Sequence, residues 1–226
     1  MGNNRWILVL VLLAVPLLVG GQCAFFFSSG GGSSDRDEDD DKKGLTIIAS
    51  NGRLSGIPVH GARYESGSIV GVTGSRGEFR YEEGKPVRFS IGDIALGEPV
   101  PGRATLALPD LVSNGTAETP AVINMARLLQ SLDADPQDEV ITIPDTVRAK
   151  AVRSNEDLYW AIEYLDYTDE AAFSNAASQL VAVLTRDYAF AAALVDAQVA
   201  RARLTRAESE AGQSSQQTTD SAAASQ

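Results

Sequence analysis

From residue 44 to about 112 the chain runs as short β-branched and aromatic stretches, each closed by a glycine-containing turn. That pattern favours an antiparallel sheet over any helical arrangement. Leu45–Ala49, Val59–Glu65, Ser68–Thr73, Glu78–Tyr81 and Val87–Ile91 are the strand candidates. Ser75-Arg76-Gly77 and Glu82-Glu83-Gly84-Lys85 separate the last three. Phe79 and Tyr81 share one face of their strand, and Val87, Phe89 and Ile91 share one face of theirs. A period of two marks a sheet with one side buried. No helical segment intervenes, so a small antiparallel β-sandwich is expected.

A helical region follows, over residues 113–211. Thr119-Pro120 reads as a helix start, with Thr as cap and Pro in the first turn. Val122, Met125, Ala126, Leu129 and Leu132 then recur at helical spacing. Ser154 with Asp157 resembles a capping box, ahead of a stripe of Leu158, Ala161, Ile162 and Leu165. From Asp169 to Glu210 there is no Pro or Gly and Ala is abundant, which predicts a long helix. Leu180, Val183, Leu184, Ala191, Leu194 and Val195 are its inward candidates. Beyond Val199 the stripe thins and Arg201, Arg203 and Arg206 take over, so that end is expected to project into solvent. Residues 212–226 are low in complexity and are expected to be disordered. The fold class is therefore α+β, a sandwich over 44–112 followed by helices. The two are expected to share a core, because the first helix needs an apolar surface and the sandwich is small.

The N-terminus bears on compartment. Met1–Arg5 is short, polar and singly basic, and Trp6–Val19 is almost wholly apolar, the pattern of an export signal. The chain's single cysteine, Cys23, lies just past that run in Val19-Gly20-Gly21-Gln22-Cys23-Ala24. Three outcomes are open. In the first, Cys23 is the acylated first residue of a lipoprotein, as the resemblance of this stretch to a bacterial lipobox implies; Gln22 stands where a lipobox has a small residue. In the second, the chain is cleaved after Gly21. In the third, the 22 uncharged residues Trp6–Phe27 stay as an anchor; as helix they span about 33 Å, enough for a bilayer. All three place residue 28 onward outside the cytoplasm. Residues 28–43 are a Gly/Ser and charge-rich linker, with six acids and three bases in 35–43. Loose carboxylates there, such as Asp39–Asp41, read as a solvated spacer before a calcium site.

Composition narrows function. There are 19 Lys+Arg against 30 Asp+Glu, a net charge of −11. That acidity excludes a general nucleic-acid face and electrostatic docking on anionic lipid. One Cys and one His leave neither a disulfide nor a multi-cysteine or two-histidine metal site within the chain. His60 has no second His or Cys to join it, and Ser75, Ser90 and Ser131 lie in no nucleophile-elbow context. Glu82-Glu83 sit in a turn rather than a cleft. Asn114-Gly115-Thr116 matches a glycosylation pattern that a bacterial export signal makes irrelevant. Asp133-Ala134-Asp135-Pro136-Gln137-Asp138 begins like a calcium loop and then departs from it. Asp138 stands where glycine is required and Pro144 where the final Glu belongs. Asp133, Asp135 and Asp138 remain candidates for a cation or polar contact. Arg127 is expected to bridge helix and sheet, or to pair with Asp133 or Asp135. No phosphate loop or dinucleotide fingerprint occurs, and no cofactor is expected.

The β half carries Pro58-Val59-x-Gly61-Ala62-x-Tyr64, then Gly71-x-Thr73, Gly77-x-Phe79-x-Tyr81 and Gly84. This resembles the transthyretin-like sandwich modules of exported bacterial proteins, of the carboxypeptidase-regulatory and Cna-B type. The continuation, Val87-x-Phe89-x-Ile91-Gly92-Asp93-x-x-Leu96-Gly97 and Asn124-x-x-Arg127 through Asp135, is similar to a family of proteobacterial lipoproteins and adhesin-like surface proteins. The resemblance covers about residues 44–145 and implies a non-catalytic module, with no catalytic residues to carry over. The expected function is a membrane-tethered envelope lipoprotein acting as a binding or structural module, its partner an envelope protein or a glycan. The alternative is an accessory subunit of an envelope transport or assembly complex, docking through the long C-terminal helix.

Overall fold

Strands alternate buried and exposed residues, and glycines set where they stop. The computed structural model describes residues 47–223, and these belong to one unit. The first half contains β1 (Ala49–Leu54), β2 (Val59–His60), β3 (Arg63–Ser66), β4 (Ile69–Val72), β5 (Glu78–Glu82), β6 (Pro86–Ile91), β7 (Ile94–Ala95), β8 (Val100–Pro101) and β9 (Thr105–Leu106). One sheet has the order β5-β1-β9 and the other β4-β3-β6-β7, with β8 also on β6. These pairings are antiparallel except β1–β9. A further parallel pair joins β2 to β10 (Ile141–Thr142), a strand that returns from the helical half.

Aromatic rings join the two sheets. Phe79 lies opposite Gly52 on β1, and a Cβ on Gly52 would come within 2.3 Å of that ring. Phe79 meets Phe89 edge-on at 5.1 Å and Tyr64 at 6.1 Å, both from the second sheet. Val87, Phe89 and Ile91 are buried, as their shared face requires. Burying a side chain of this size contributes about 1.5–3 kcal/mol.

Two strand expectations shift. Among the described residues the first strand is Ala49–Leu54; of the expected strand Leu45–Ala49, Ile47 and Ile48 are exposed and outside it, and residues 45 and 46 lie outside the described residues. The register of β1 follows the seat that Gly52 gives Phe79, a tertiary fit that overrides the β propensity of the preceding residues. The predicted strand Val59–Glu65 is two strands. Gly61 adopts φ +89° between them, and a Cβ there would meet the Ile143 carbonyl at 2.1 Å.

The second half begins with a 3₁₀ turn (Leu108–Leu111) and α1 (Pro120–Ser131), which starts as the sequence predicts. α1 is buried nearly all round, with Val122, Met125, Ala126, Leu128 and Leu129 fully enclosed. After it come α2 (Asp145–Lys150), α3 (Tyr159–Glu163), α4 (Glu170–Leu184) and α5 (Ala197–Ala223), of which α4 and α5 pack on α1. The Asp169 carboxylate caps α4 by accepting from Ala172 N at 2.9 Å. Ser154 and Asp157 do not start a helix. Asn155 accepts from Asp157 N in a turn there, and α3 begins at Tyr159 with Leu158, Ala161 and Ile162 buried as expected.

The long helix expected over 169–210 is interrupted at 185–196. Tyr188 donates its hydroxyl to the Leu132 carbonyl (2.6 Å), Val195 N donates to Ser131 Oγ (2.8 Å), and Lys150 pairs with Asp187. These contacts hold the segment against α1 in a non-helical path. The stripe of α5 also differs from expectation. Val199 is exposed, whereas Ala200, Leu204 and Ala207 are buried, so the helix packs inward past the point where it was expected to leave. Its backbone continues to Ala223, through the segment expected to be disordered from residue 212. Among the described residues no helix is long and apolar enough to cross a membrane. Cys23 and the span 6–27 lie outside the described residues.

Candidate functional site

The acidic loop after α1 is built by turns. Asp133 Oδ1 accepts from Asp135 N (3.1 Å) and Thr142 N (2.9 Å), which folds the chain from the end of α1 into β10. Asp135 accepts from Gln137 N, and Asp138 accepts from Val140 N. Each carboxylate therefore closes its own turn, and the structure does not bring the three together as cation ligands. Among the described residues no group of three or more His, Cys, Asp or Glu side chains is placed to hold a metal.

Asp133 has a second role that the loop does not satisfy. It is 2% exposed, and its other oxygen, Oδ2, is buried without a hydrogen-bond partner among the described residues. Gln130 Nε2, one turn earlier on α1, is buried and unpartnered as well. An unpaired buried group costs about 1–3 kcal/mol, so two of them need a reason. The two residues border a pocket of about 520 Å³, open to solvent, whose far wall is α5 with Val199, Arg203 and Arg206, while the two unpartnered atoms themselves are enclosed by protein. Arg203 Nη2 donates to the Glu139 carbonyl at 2.8 Å. Burial pushes the Asp133 carboxyl above the usual carboxylate range. Burial also pulls the Arg203 guanidinium below its ordinary value, against the opposing pull of the Asp133 charge, and the Arg206 charge adds to the lowering. Sequence reasoning singled out Asp133 but missed Gln130, Arg203 and Arg206 as its neighbours. The spacing of 203 and 206 on one helix face was the available signal; that this face meets the end of α1 was not visible.

A second groove, of about 380 Å³, runs between the β7 turn, α1 and the end of α3. Its acids are already engaged. Glu163 pairs with Arg153, Asp93 accepts from Arg153 N, Glu98 accepts from Ser113 and Asp166 accepts from Thr168. The groove thus has an apolar floor and a rim held by internal bonds.

Arg127 does not meet Asp133 or Asp135. Its Nη1 donates to Asn124 Oδ1 (2.9 Å) and Glu170 Oε1 (2.8 Å), its Nε donates to the Val195 carbonyl (2.9 Å), and its guanidinium lies 5.1 Å from the Phe173 ring centroid. It joins α1 to α4 and to segment 185–196. Ser131 donates to the Arg127 carbonyl while accepting from Val195 N, which makes it a structural hydroxyl. His60 is half-buried in β2, opposite Thr142. Glu82 and Glu83 accept from Ser68 and Ser50, so that pair holds turns. Tyr159, Trp160 and Tyr164 form an exposed aromatic cluster on α3, with Trp160 stacked on Tyr164 at 5.4 Å.

Two Escherichia coli proteins are similar to part of this chain, "Putative lipoprotein YghJ" and "Putative lipoprotein AcfD homolog". Each is 32% identical over 105 residues, which is 45% of this chain and 7% of the relative. The chain thus corresponds to a small part of the length of the curated relatives it matches. No family model matches, and no solved structure matches.

Proposed function

We propose that this chain is a membrane-tethered, non-catalytic binding module of the bacterial cell envelope, exported and carried outside the cytoplasm. The observation that carries the reading is the similarity to two proteins named as lipoproteins, in a chain whose single cysteine follows an N-terminal apolar run. Cys23 is the lipid attachment site in this reading. The non-catalytic assignment is supported by the internal engagement of the acids of the β7 groove and of Arg127 and Ser131 on α1. The acids of the β7 groove hold turns and ion pairs, and Ser131 and Arg127 hold helices together. The binding role is supported by two solvent-open clefts among the described residues, of about 520 and 380 Å³. Docking through the C-terminal helix loses support, because Ala200, Leu204 and Ala207 are already covered within the chain.

Metabolic labelling with a palmitate analogue in a Gram-negative host tests the tether. The chain is expected to carry label in the membrane fraction, and Cys23→Ala is expected to lose it. Unlabelled wild-type protein that stays in the membrane contradicts acylation and leaves residues 6–27 as an anchor. Wild-type protein released in soluble form contradicts tethering altogether.

A further inference from the structure

The groove beside β7 and the aromatic cluster of α3 share one stretch of chain, residues 159–168. Ile162, Glu163, Leu165 and Asp166 line the groove. Tyr159, Trp160 and Tyr164 interleave with them in sequence and stand in solvent. Buried Ile94, Met125 and Ile162 and half-buried Leu165 make the groove's floor. Its charged lining is one base, Arg153, against four acids, Asp93, Glu98, Glu163 and Asp166, all exposed. Arg153 offsets Glu163, at 3.2 Å. Asp93 accepts from the backbone N of Arg153, Glu98 from the Ser113 hydroxyl and Asp166 from Thr168. Those donors are neutral, so they fix the three carboxylates without cancelling their charge. None of the three is in an ion pair among the described residues.

Charge, shape and aromatic exposure together choose the occupant. The acids are spread round the groove, and among the described residues no three are grouped to hold a metal ion. An extended cation therefore suits them better than a point charge. The groove measures about 380 Å³, near the lower end of the usual ligand-site range of roughly 300–1,000 Å³. With its apolar floor it takes apolar side chains rather than a whole helix. Trp160 and Tyr164 are 61% and 63% exposed and stack at 5.4 Å. Exposed aromatic rings attract Lys and Arg cations, and Trp and Tyr anchor protein interfaces. A second copy of this chain is a poor occupant, because it brings a net charge of −11. We infer that groove and cluster together dock a basic amphipathic segment of a partner protein. Its apolar side chains enter the groove. Its Lys or Arg side chains face Asp93, Glu98 and Asp166 and the rings of Trp160 and Tyr164. The inference rests on the binding-module reading but not on the lipid tether.

Peptide titration of the full chain in nonionic detergent micelles tests it. Trp160 emission is the readout, in a Trp6→Phe background that leaves Trp160 as the single tryptophan. The probe is the capped peptide Lys-Lys-Leu-Leu-Lys-Lys. Lys-Lys-Ser-Ser-Lys-Lys and Glu-Glu-Leu-Leu-Glu-Glu are the controls, and micelles without protein are the blank. A saturable shift of Trp160 emission is expected with the Lys/Leu peptide, and each control is expected to bind at least about tenfold more weakly. Glu98→Gln with Asp166→Asn keeps an oxygen for Ser113 and Thr168 while removing two charges. That pair is expected to weaken the Lys/Leu peptide about three- to tenfold. Ala95→Lys puts a cation at an exposed position of the groove wall. It is expected to weaken the peptide at least about tenfold, with helix and sheet signals unchanged. Absence of a saturable shift overturns the inference. So does equal binding of the Ser or the Glu peptide, or indifference to either variant. The membrane fraction of the same preparation reads the tether separately, so failure of one is distinguishable from failure of the other.

Discussion

The β half and the helical half end their elements by different means. In the β half, glycines at positive φ close the turns, as Gly77 does between β4 and β5 and Gly84 between β5 and β6. The stop is written locally, in the residue that occupies the turn. In the helical half, α4 ends and α5 begins across 185–196 without a single glycine or proline. That interruption is imposed from outside the segment, by Arg127 and Ser131 of α1, by Leu132 just past its end and by Lys150 of α2. Tertiary hydrogen bonds and an ion pair outweigh a helix propensity worth a few tenths of a kcal/mol per residue. Local stops are readable from one sequence, and imposed ones are not.

Four substitutions bear on that contrast, in falling order of effect. Phe89→Ala removes the ring that Phe79 meets edge-on and is expected to cost about 4 kcal/mol of unfolding free energy in urea titrations. Both halves belong to one unit, so helix and sheet signals should be lost together; separate transitions would break the shared-core account.

Arg127→Met strips the Val195 carbonyl and Asn124 Oδ1 of their donor, at an expected cost of about 3 kcal/mol. Hydrogen exchange should quicken across 185–196 before it does in α1. Unchanged protection at 185–196 would mean that the interruption is held by something other than this arginine.

Gly77→Ala probes the local kind of stop. A Cβ there stands 2.6 Å from the Leu54 carbonyl at φ +78°, and about 2 kcal/mol is expected. The loss should be confined to β1 and β5 protection, with the helical half unaffected until global unfolding.

The smallest effect is a pH slope. Burial raises the Asp133 carboxyl above its ordinary value of 3.8, so the folded state holds that proton to higher pH than the unfolded chain does. Its contribution is complete below the ordinary value and is lost as pH rises through the raised one. Asp133→Asn keeps an oxygen for Asp135 N and Thr142 N while removing the titration. Wild-type stability is therefore expected to fall relative to the variant as pH rises above the ordinary value of 3.8. Parallel pH profiles would show that Asp133 titrates as it does in the unfolded chain.

The same contrast governs how much was legible in the sequence. The start of α1 at Thr119-Pro120, its stripe through Leu129, and the paired faces of Phe79 and Phe89 follow from periodicity and caps. The first strand was displaced because Gly52 seats Phe79, a partner 27 positions away (79 − 52). The α5 stripe of Ala200, Leu204 and Ala207 was misjudged because two of its three members are alanines. Their burial depends on the helix opposite rather than on their own hydrophobicity. The pocket was half legible. Asp133 stood out by its spacing with Asp135, but that spacing serves turns, and its second oxygen is buried rather than offered to the pocket. Gln130, Arg203 and Arg206 come to it from two helices whose contact no local pattern encodes.

The central functional claim is the export and lipid tether, and the intact mass of the protein extracted from bacterial membranes tests it most directly. The account expects the mass of residues 23–226 with acyl groups added at Cys23. The unprocessed mass of the full 226-residue chain, or that of an unacylated chain cleaved after Gly21, would contradict it.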